Sequence, residues 1–191
     1  MPPAPLHRNN INRLLGKGLG EATADGNDID CGVNANVLWY AALEGRELPV
    51  VCQYLVGAVR DRDIPRCSLY YLGTPHVAYL VARAYSAGAR CLSSAIEPLR
   101  QIILATQLAD GSFGDDLDTA AAVAALVRLN DEGDSVGRGV RALVQRQRPD
   151  GSWRAGGFIW PFHGSEVLTT AIALDGLVRY REAQIRLTDR R

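Results

Sequence analysis

The sequence lacks an excess of either charge, because 21 basic side chains balance 21 acidic ones among its 191 residues. The arginines are spread over many segments and form no basic stripe, so we expect no nucleic-acid or polyanion partner. No apolar run approaches the ~20 residues that a membrane span needs. Peripheral membrane contact stays open, since it requires only a local apolar patch. Aromatic residues are sparse at 7 %, yet the apolar fraction of 47 % is typical of a globular protein and excludes a disordered one.

Cysteine is scarce as well, with four residues in the chain. They lie far apart, and no two form a Cys-x-x-Cys pair. The first ten residues contain no apolar run of the kind that marks a signal peptide. The simplest interpretation is a reduced, cytoplasmic protein. Its length suits one domain over residues 1–191, or part of a larger domain.

An internal repeat is the main positive feature of the sequence. Residues 107–113 read QLADGSF and residues 147–153 read QRPDGSW, so each copy contains a tight Asp-Gly turn. A segment rich in small apolar residues follows each turn: LDTAAAVAALVRL at 117–129 and LTTAIALDGLVRY at 168–180. A weaker third copy of that segment, NANVLWYAAL, occupies 34–43. The repeat predicts a helix–turn–helix unit used several times.

Two kinds of helix alternate in this pattern. Segments with one apolar face are typical of surface helices, whereas segments that are apolar nearly all round are typical of buried ones. Pro75 suits a first helical turn, and Ser94 with Glu97 fits a capping box. No alternating run indicates a sheet, so we expect an all-α fold, with an irregular bundle and a helical solenoid as the alternatives. The predicted outer helices are 9–19, 47–60, 94–106 and 135–146, and the predicted inner helices are 33–43, 75–87, 117–130 and 166–181.

The two turns resemble the "QW" repeats of squalene–hopene and oxidosqualene cyclases, and related turns occur in protein prenyltransferase β subunits. Segments 27–38 and 164–174 are similar to those of bacterial "prenyltransferase/squalene oxidase repeat" proteins. The resemblance implies a double-layered α/α toroid, here with four inner/outer helix pairs and therefore an incomplete ring. An open arc would expose the side of an inner helix and favour a partner protein or a homo-oligomer. The matching positions are Gln107, Gly111, Ser112, Phe113, Gln147, Gly151, Ser152 and Trp153.

In such a ring the inner helices are parallel, so their starting ends meet around one mouth of a central cavity. Clustered carboxylates raise one another's pKa, and a protonated carboxyl is the acid that a class II terpenoid cyclase uses on an apolar isoprenoid substrate. Each aspartate, taken alone, is better explained as a helix cap, and only the clustering of the set favours a functional site. The candidate catalytic residues are Asp116 and Asp118, with Asp28 and Asp30 opposite. The candidate substrate-binding residues are Trp39, Tyr40, His76, Tyr79, His163 and Glu166, and the pair Tyr70-Tyr71 is expected near the mouth.

The resemblance fails at one functional position. Class II cyclases carry Asp-Xaa-Asp-Asp-Thr-Ala with the middle aspartate as the acid, and residues 115–120 read DDLDTA, which places Leu117 there. Leucine cannot donate a proton, so Asp116 or Asp118 would have to substitute. The competing interpretations are a non-catalytic toroid that binds an apolar ligand or a partner protein, and a fragment whose catalytic part lies elsewhere.

No cofactor is required by the sequence. A prenyltransferase-like zinc site would need Asp28 or Asp30 with Cys31 and His163, and the Asp–Cys spacing departs from that of the family. Oxygen ligands from Asp28, Asp115 and Asp116 would suit magnesium, but their spacing does not call for it. We therefore expect no cofactor, with magnesium left open as the alternative and zinc disfavoured.

Overall fold

The computed structural model describes residues 29–68, 70–131, 133–158 and 163–189. Within these ranges all regular structure is helical, which confirms the predicted all-α class. None of the helices in these ranges is long and apolar enough to cross a bilayer. The predicted helix at 9–19 and the candidate Asp28 lie outside the described residues. The helices are α1 (Cys31–Leu43), α2 (Pro49–Arg60), α3 (Thr74–Ser86), a 3-10 segment (Arg90–Ala95) that leads into α4 (Ile96–Leu104), α5 (Asp116–Arg128), α6 (Asp134–Arg146) and α7 (Glu166–Thr188).

Local sequence signals explain where most helices begin. The side chains of Asp30, Asp115 and Ser165 cap α1, α5 and α7 by accepting a backbone N–H from the first turn. Pro75 lies in the first turn of α3, as predicted. The capping box predicted from Ser94 does not form, because Ser94 belongs to the 3-10 segment and α4 starts without a side-chain cap. The starts of α1, α3, α5 and α7 are thus marked in the sequence by an aspartate, a proline or a serine.

The helices form two populations that follow the predicted alternation. Helices α1, α3, α5 and α7 pack side by side in chain order and make the most extensive contacts in the molecule. Helices α2, α4 and α6 each pack on the inner helix that precedes them. Helix α5 lies in the middle of the row and is buried almost all round, which its alanines allow because they let neighbours approach closely. A side chain at Gly176 of α7 would already contact the backbone of Ala124.

The two Asp-Gly turns have the same structure. In each turn a glycine with positive φ, Gly111 or Gly151, follows an aspartate that accepts hydrogen bonds from the next serine. The glutamine four residues earlier donates its amide N–H to that glycine's carbonyl oxygen, at 2.9 Å in both copies. The aromatic rings of Phe113 and Trp153 are buried. The repeat seen in the sequence is therefore a repeat of hydrogen bonds.

The prediction of reduced cysteines is wrong. Cys31 pairs with Cys67 and Cys52 pairs with Cys91, with Cα–Cα distances of 5.5 and 6.2 Å. The pairing was not predictable from the sequence, because the partners are 36 and 39 residues apart and only the packing of the helices brings them together. Disulfides persist mainly in oxidising compartments, so the cysteines no longer support a cytoplasmic location.

Candidate functional site

Side-chain and backbone contacts join the starts of all four inner helices. The ring of Tyr71, just before α3, lies so close to Gly32 of α1 that a Cβ there would be 2.0 Å from it. The same ring packs edge-on against Phe158, at 5.0 Å between centroids. Phe158 belongs to the segment before α7, where the N–H of Gly156 donates to Thr169 Oγ1 at 3.3 Å. The starting ends thus form one continuous region.

The central pair of this region is His76, at the start of α3, and Asp118, at the start of α5. Nε2 of His76 lies 3.2 Å from Oδ1 of Asp118. The imidazole is 2 % exposed and the carboxylate 27 %, so the pair is reached from the Asp118 side. Nδ1 of His76 accepts the Gly73 N–H at 3.2 Å, which places the proton of a neutral imidazole on Nε2. The sequence placed both residues at helix starts, and the packing of α3 on α5 brings them together.

The distance between His76 Nε2 and Asp118 Oδ1 indicates an interaction, whereas the angle at these atoms does not indicate an aligned hydrogen bond. At 3.2 Å the two atoms are within ion-pair distance. The angle is unfavourable, however, and Nε2 has no well-aligned hydrogen-bond partner within the described residues. A small rotation of either side chain would align a hydrogen bond from His76 Nε2 to Asp118 Oδ1. A buried N–H without an aligned partner is uncommon away from functional sites.

Two glycines surround the Asp118 carboxylate. A Cβ at Gly73 would lie 2.6 Å from Oδ1, and a Cβ at Gly114 would lie 2.5 Å from Oδ2. Gly114 has a φ of +130°, a conformation that other residues rarely adopt. The backbone therefore approaches both oxygens closely because these two positions carry no side chain. Neither glycine was predicted from the sequence to contact a carboxylate.

The two neighbouring aspartates have structural partners. Asp115 caps α5 by accepting the Asp118 N–H at 2.8 Å. Asp116 is largely buried; it accepts the Arg154 N–H at 3.1 Å and lies 3.6 Å from Nη1 of Arg146. Both carboxylates therefore contribute to local structure, and Leu117, at the position that the cyclase resemblance assigns to the acid, is fully buried.

Asp30 is also engaged by its surroundings. It accepts the Val33 N–H at 2.9 Å and the Ser68 hydroxyl at 2.7 Å, and it is 2 % exposed. The nearby phenol of Tyr54 donates to the Ile29 carbonyl oxygen, and burial together with the charges of Asp30 and Asp63 raises its pKa to about 12. Asp30 thus fixes the start of α1 to the segment before α3.

The candidates on α7 lie at the outer rim of the region. Glu166 is exposed and forms an ion pair with Arg148 at 2.8 Å. His163 is exposed, and its backbone carbonyl accepts the Phe158 N–H at 3.1 Å. Neither side chain contacts the pair of His76 and Asp118 among the described interactions. The described contacts of Glu166 and His163 are this ion pair and this backbone hydrogen bond.

Two of the predicted aromatic residues, Trp39 and Tyr79, belong to a second polar row, nearer the C-terminal ends of the inner helices. The guanidinium of Arg83 lies 4.0 Å from the Trp39 ring and 5.6 Å from the Tyr79 ring. The guanidinium of Arg128 lies 5.2 Å from the Tyr79 ring and forms an ion pair with Asp175. Tyr79 is therefore close to two cations, one on its own helix and one on α5. Tyr40 does not join this row and is exposed.

Sequence reasoning missed the two arginines of this row. Arg83 and Arg128 are charged residues in otherwise apolar inner helices, which was the available signal. Burial lowers the pKa of Arg128, and the carboxylate of Asp175 partly offsets that effect. The row links α1, α3, α5 and α7 and holds the inner helices in register.

The described residues hold no group of three or more His, Cys, Asp or Glu side chains placed to bind a metal ion. Cys31 forms a disulfide, so its thiolate is not available for the zinc set considered from the sequence. Two surface grooves of about 600 and 580 Å³ lie elsewhere. The larger runs between α6 and the end of α7, and the smaller runs along α2 next to the Cys52–Cys91 disulfide.

No protein-family model matches the chain, and no curated protein matches it either. The functional interpretation therefore depends on the geometry of the site and on the repeat.

Proposed function

We propose that the chain is an arc of a double-layered α/α toroid, similar to terpenoid cyclases and protein prenyltransferase β subunits. Support comes from the side-by-side packing of α1, α3, α5 and α7 and from the outer position of α2, α4 and α6. The matched hydrogen bonds of the two glutamine turns add to it. A shared fold does not assign an activity, so the proposed activity rests on the geometry of the site.

The activity that the site supports best is acid-initiated chemistry on an apolar, isoprenoid-type substrate. The observation that carries this proposal is the approach of His76 Nε2 to Asp118 Oδ1 at 3.2 Å, with the imidazole buried and the carboxylate partly exposed. Among the predicted acids that the structure describes, Asp118 alone combines partial exposure with an imidazole partner, whereas Asp30 and Asp116 accept backbone N–H groups. We therefore assign the acid to Asp118.

In the proposed reaction the protonated Asp118 carboxyl donates its proton to an alkene or epoxide of the substrate. The Nε2–H of His76 stabilises the carboxylate that remains, because it lies 3.2 Å from Oδ1. The Phe158 ring lies 5.2 Å from the imidazole and packs against the Tyr71 ring, so these two rings offer π faces to a carbocation. Loss of a proton from the product cation returns a proton to Asp118, directly or through water.

The test is turnover of farnesyl, geranylgeranyl and squalene-type substrates, with product detection by mass spectrometry. We expect Asp118→Asn to lower turnover by at least about a hundredfold, because the amide cannot donate the proton. Asp134→Asn is the matched control, since Asp134 is exposed at the start of α6 and far from the pair. Circular dichroism of both variants checks that the fold is retained. A wild-type protein without turnover on these substrate classes, or an active Asp118→Asn variant, contradicts the proposal.

A second candidate is a non-catalytic toroid that binds an apolar ligand or a partner protein. The buried Leu117 at the usual acid position favours it, as does the use of Asp115 and Asp116 in capping and backbone contacts. Under this alternative, a fluorescent polyprenyl probe binds with the same affinity to the wild type and to Asp118→Asn, and no product forms. Equal binding with measurable turnover would reject it.

A further inference from the structure

The Cys52–Cys91 bridge is open to solvent on one side, whereas the Cys31–Cys67 bridge is enclosed. Cys52, on α2, is 3 % exposed, and Cys91, in the 3-10 segment, is exposed. Cys31 and Cys67 are 0 and 7 % exposed, and the Cys31 N–H also donates to the Cys67 carbonyl oxygen at 2.9 Å. A thiolate opens a disulfide by attacking one of its two sulfur atoms, so access to a sulfur decides where the reaction occurs. By this criterion Cys91 Sγ is the reactive atom.

The smaller of the two surface grooves adjoins that sulfur. It has a volume of about 580 Å³, and both Cys52 and Cys91 line it. Small-molecule sites in proteins have volumes of about 300–1,000 Å³, so the groove has room for a small molecule bonded to Cys91. Cys31 and Cys67 line neither groove. The accessible sulfur and the space beside it therefore coincide at one bridge.

The side chains around the groove suit a small zwitterionic peptide. Leu48, Pro49 and Val56 supply apolar contact. Gln53 and Ser94 are exposed and offer an amide and a hydroxyl for hydrogen bonds to peptide groups. Glu47 and Arg60 are also exposed and add one charge of each sign, although Arg60 bonds to Asp61 as well, at 2.8 Å. Such a lining matches a molecule that carries an ammonium group, carboxylates and amides.

We propose that Cys91 is a site of reversible thiolation by a small peptide thiol of the glutathione class. In the forward step the peptide thiolate attacks Cys91 Sγ, the bond between the two protein sulfurs breaks, and Cys52 leaves as a thiolate that takes up a proton. One disulfide replaces another, so the step needs no oxidant. In the reverse step the Cys52 thiolate attacks Cys91 Sγ, restores the bridge and releases the peptide thiol. This exchange does not depend on the acid chemistry proposed at Asp118.

The exchange unlinks α2 from the 3-10 segment but leaves the other contacts of that segment in place. Leu92 and Ala95 of the segment are 0 and 2 % exposed. The segment contacts α3 and α4 in addition to α2. Because these apolar contacts remain when the bridge opens, we expect the thiolated protein to stay folded.

The first test is peptide mapping of the full-length wild type after incubation with reduced and oxidised glutathione. Free thiols are then alkylated under denaturing conditions, and trypsin places Cys52 and Cys91 in separate peptides because it cuts after arginine. We expect glutathione on the Cys91 peptide and the alkyl label on the Cys52 peptide. Glutathione mainly on any other cysteine, or on none, overturns the proposal.

Single-cysteine variants test the choice of sulfur. Cys52→Ser leaves a free thiol at Cys91, and Cys91→Ser leaves one at Cys52. With oxidised glutathione as the probe, we expect Cys52→Ser to form the mixed disulfide at least about tenfold faster, because Cys91 is accessible and Cys52 is not. Circular dichroism checks that both variants keep their helices. Equal rates, or a faster reaction at Cys52, contradict the assignment to Cys91.

Gln53→Trp tests whether the groove receives the peptide. Gln53 is exposed and lines the groove, so in the Cys52→Ser background we expect the tryptophan to slow the reaction with oxidised glutathione by at least about fivefold. Val50→Trp is the matched control, since Val50 is 80 % exposed on α2 and does not line the groove. The small uncharged reagent hydroxyethyl disulfide should react at similar rates with both. Equal rates of both variants with oxidised glutathione would overturn the role of the groove.

Discussion

Glycine positions set the geometry of the candidate site at the residue scale. Gly73 and Gly114 allow the backbone to touch the Asp118 carboxylate, and Gly156 does the same for Asp115 and Leu117. Any side chain at these positions would occupy space that the carboxylates need. The acidic residues themselves are ordinary helix starters, so the absence of neighbouring side chains is what makes their arrangement specific.

Gly156→Ala tests this dependence. Its Cβ would lie 2.5 Å from the Leu117 Cβ and 2.7 Å from both oxygens of Asp115, so we expect a loss of about 1–3 kcal/mol in the free energy of unfolding. Gly57→Ala is the matched change, because Gly57 lies inside α2 with open space around it; there alanine should stabilise by about 0.5–1 kcal/mol. Denaturant unfolding of both variants measures the difference, and equal effects would show that Gly156 is not sterically required.

At the scale of the helix, α5 carries the most demanding packing. It contacts α3 on one side, α7 on the other and α6 on the outside, and all its alanines are buried. A helix in this position tolerates neither larger nor polar side chains over most of its surface. Thr119 is the exception on the buried face, because its hydroxyl accepts the Phe113 N–H at 3.1 Å and donates to the Asp115 carbonyl oxygen.

Ala120→Leu tests the packing of α5. Ala120 is fully buried, so we expect the larger side chain to lower the free energy of unfolding by about 1–3 kcal/mol. Ala105→Leu, at the exposed end of α4, should change it by less than about 0.5 kcal/mol. Thermal or denaturant unfolding measures both. If Ala120→Leu left the free energy of unfolding unchanged, α5 would have more space around Ala120 than its burial indicates.

The helices themselves were predictable from the sequence to within a few residues, because periodicity and start signals are local. The exceptions have physical reasons. Helix α7 was predicted to end near residue 181 and continues to Thr188, since its last turns are polar and leave no periodic signal. The 3-10 segment begins at Arg90, before residue 94, where an outer helix was predicted to start.

The candidate site was only partly predictable. The sequence placed His76 and Asp118 at helix starts, but their 3.2 Å approach depends on how far α3 is shifted along α5. The disulfides and the row of Arg83, Tyr79 and Arg128 were missed for the same reason. The sequence of one helix does not determine how far that helix is shifted along its neighbour.

On the scale of the whole molecule, the disulfides strengthen one end of the row. Cys31–Cys67 ties the start of α1 to the segment before α3, and Cys52–Cys91 ties α2 to the 3-10 segment. No cysteine lies beyond residue 91, so α5, α6 and α7 depend on packing alone. The half that carries the bridges is also the half with the less regular helix pattern.

The two bridges should differ in their response to reductants. Cys31 and Cys67 are both buried, whereas Cys91 is exposed beside a surface groove, so a mild thiol reductant should open Cys52–Cys91 first. Differential alkylation and mass spectrometry would follow the order. Replacing both cysteines of either bridge with alanine should cost about 2–4 kcal/mol of stability, because the closed loops are of similar length. Simultaneous reduction of both bridges would contradict the difference in accessibility.

The order of the four cysteines along the chain has one more consequence. Cys52 lies inside the loop closed by Cys31–Cys67, and Cys67 lies inside the loop closed by Cys52–Cys91, so the two loops overlap. A protease that cuts once anywhere between Cys31 and Cys91 therefore leaves two fragments that at least one bridge still joins. The oxidised protein can be nicked in its first three helices without being divided, and only reduction would release the pieces.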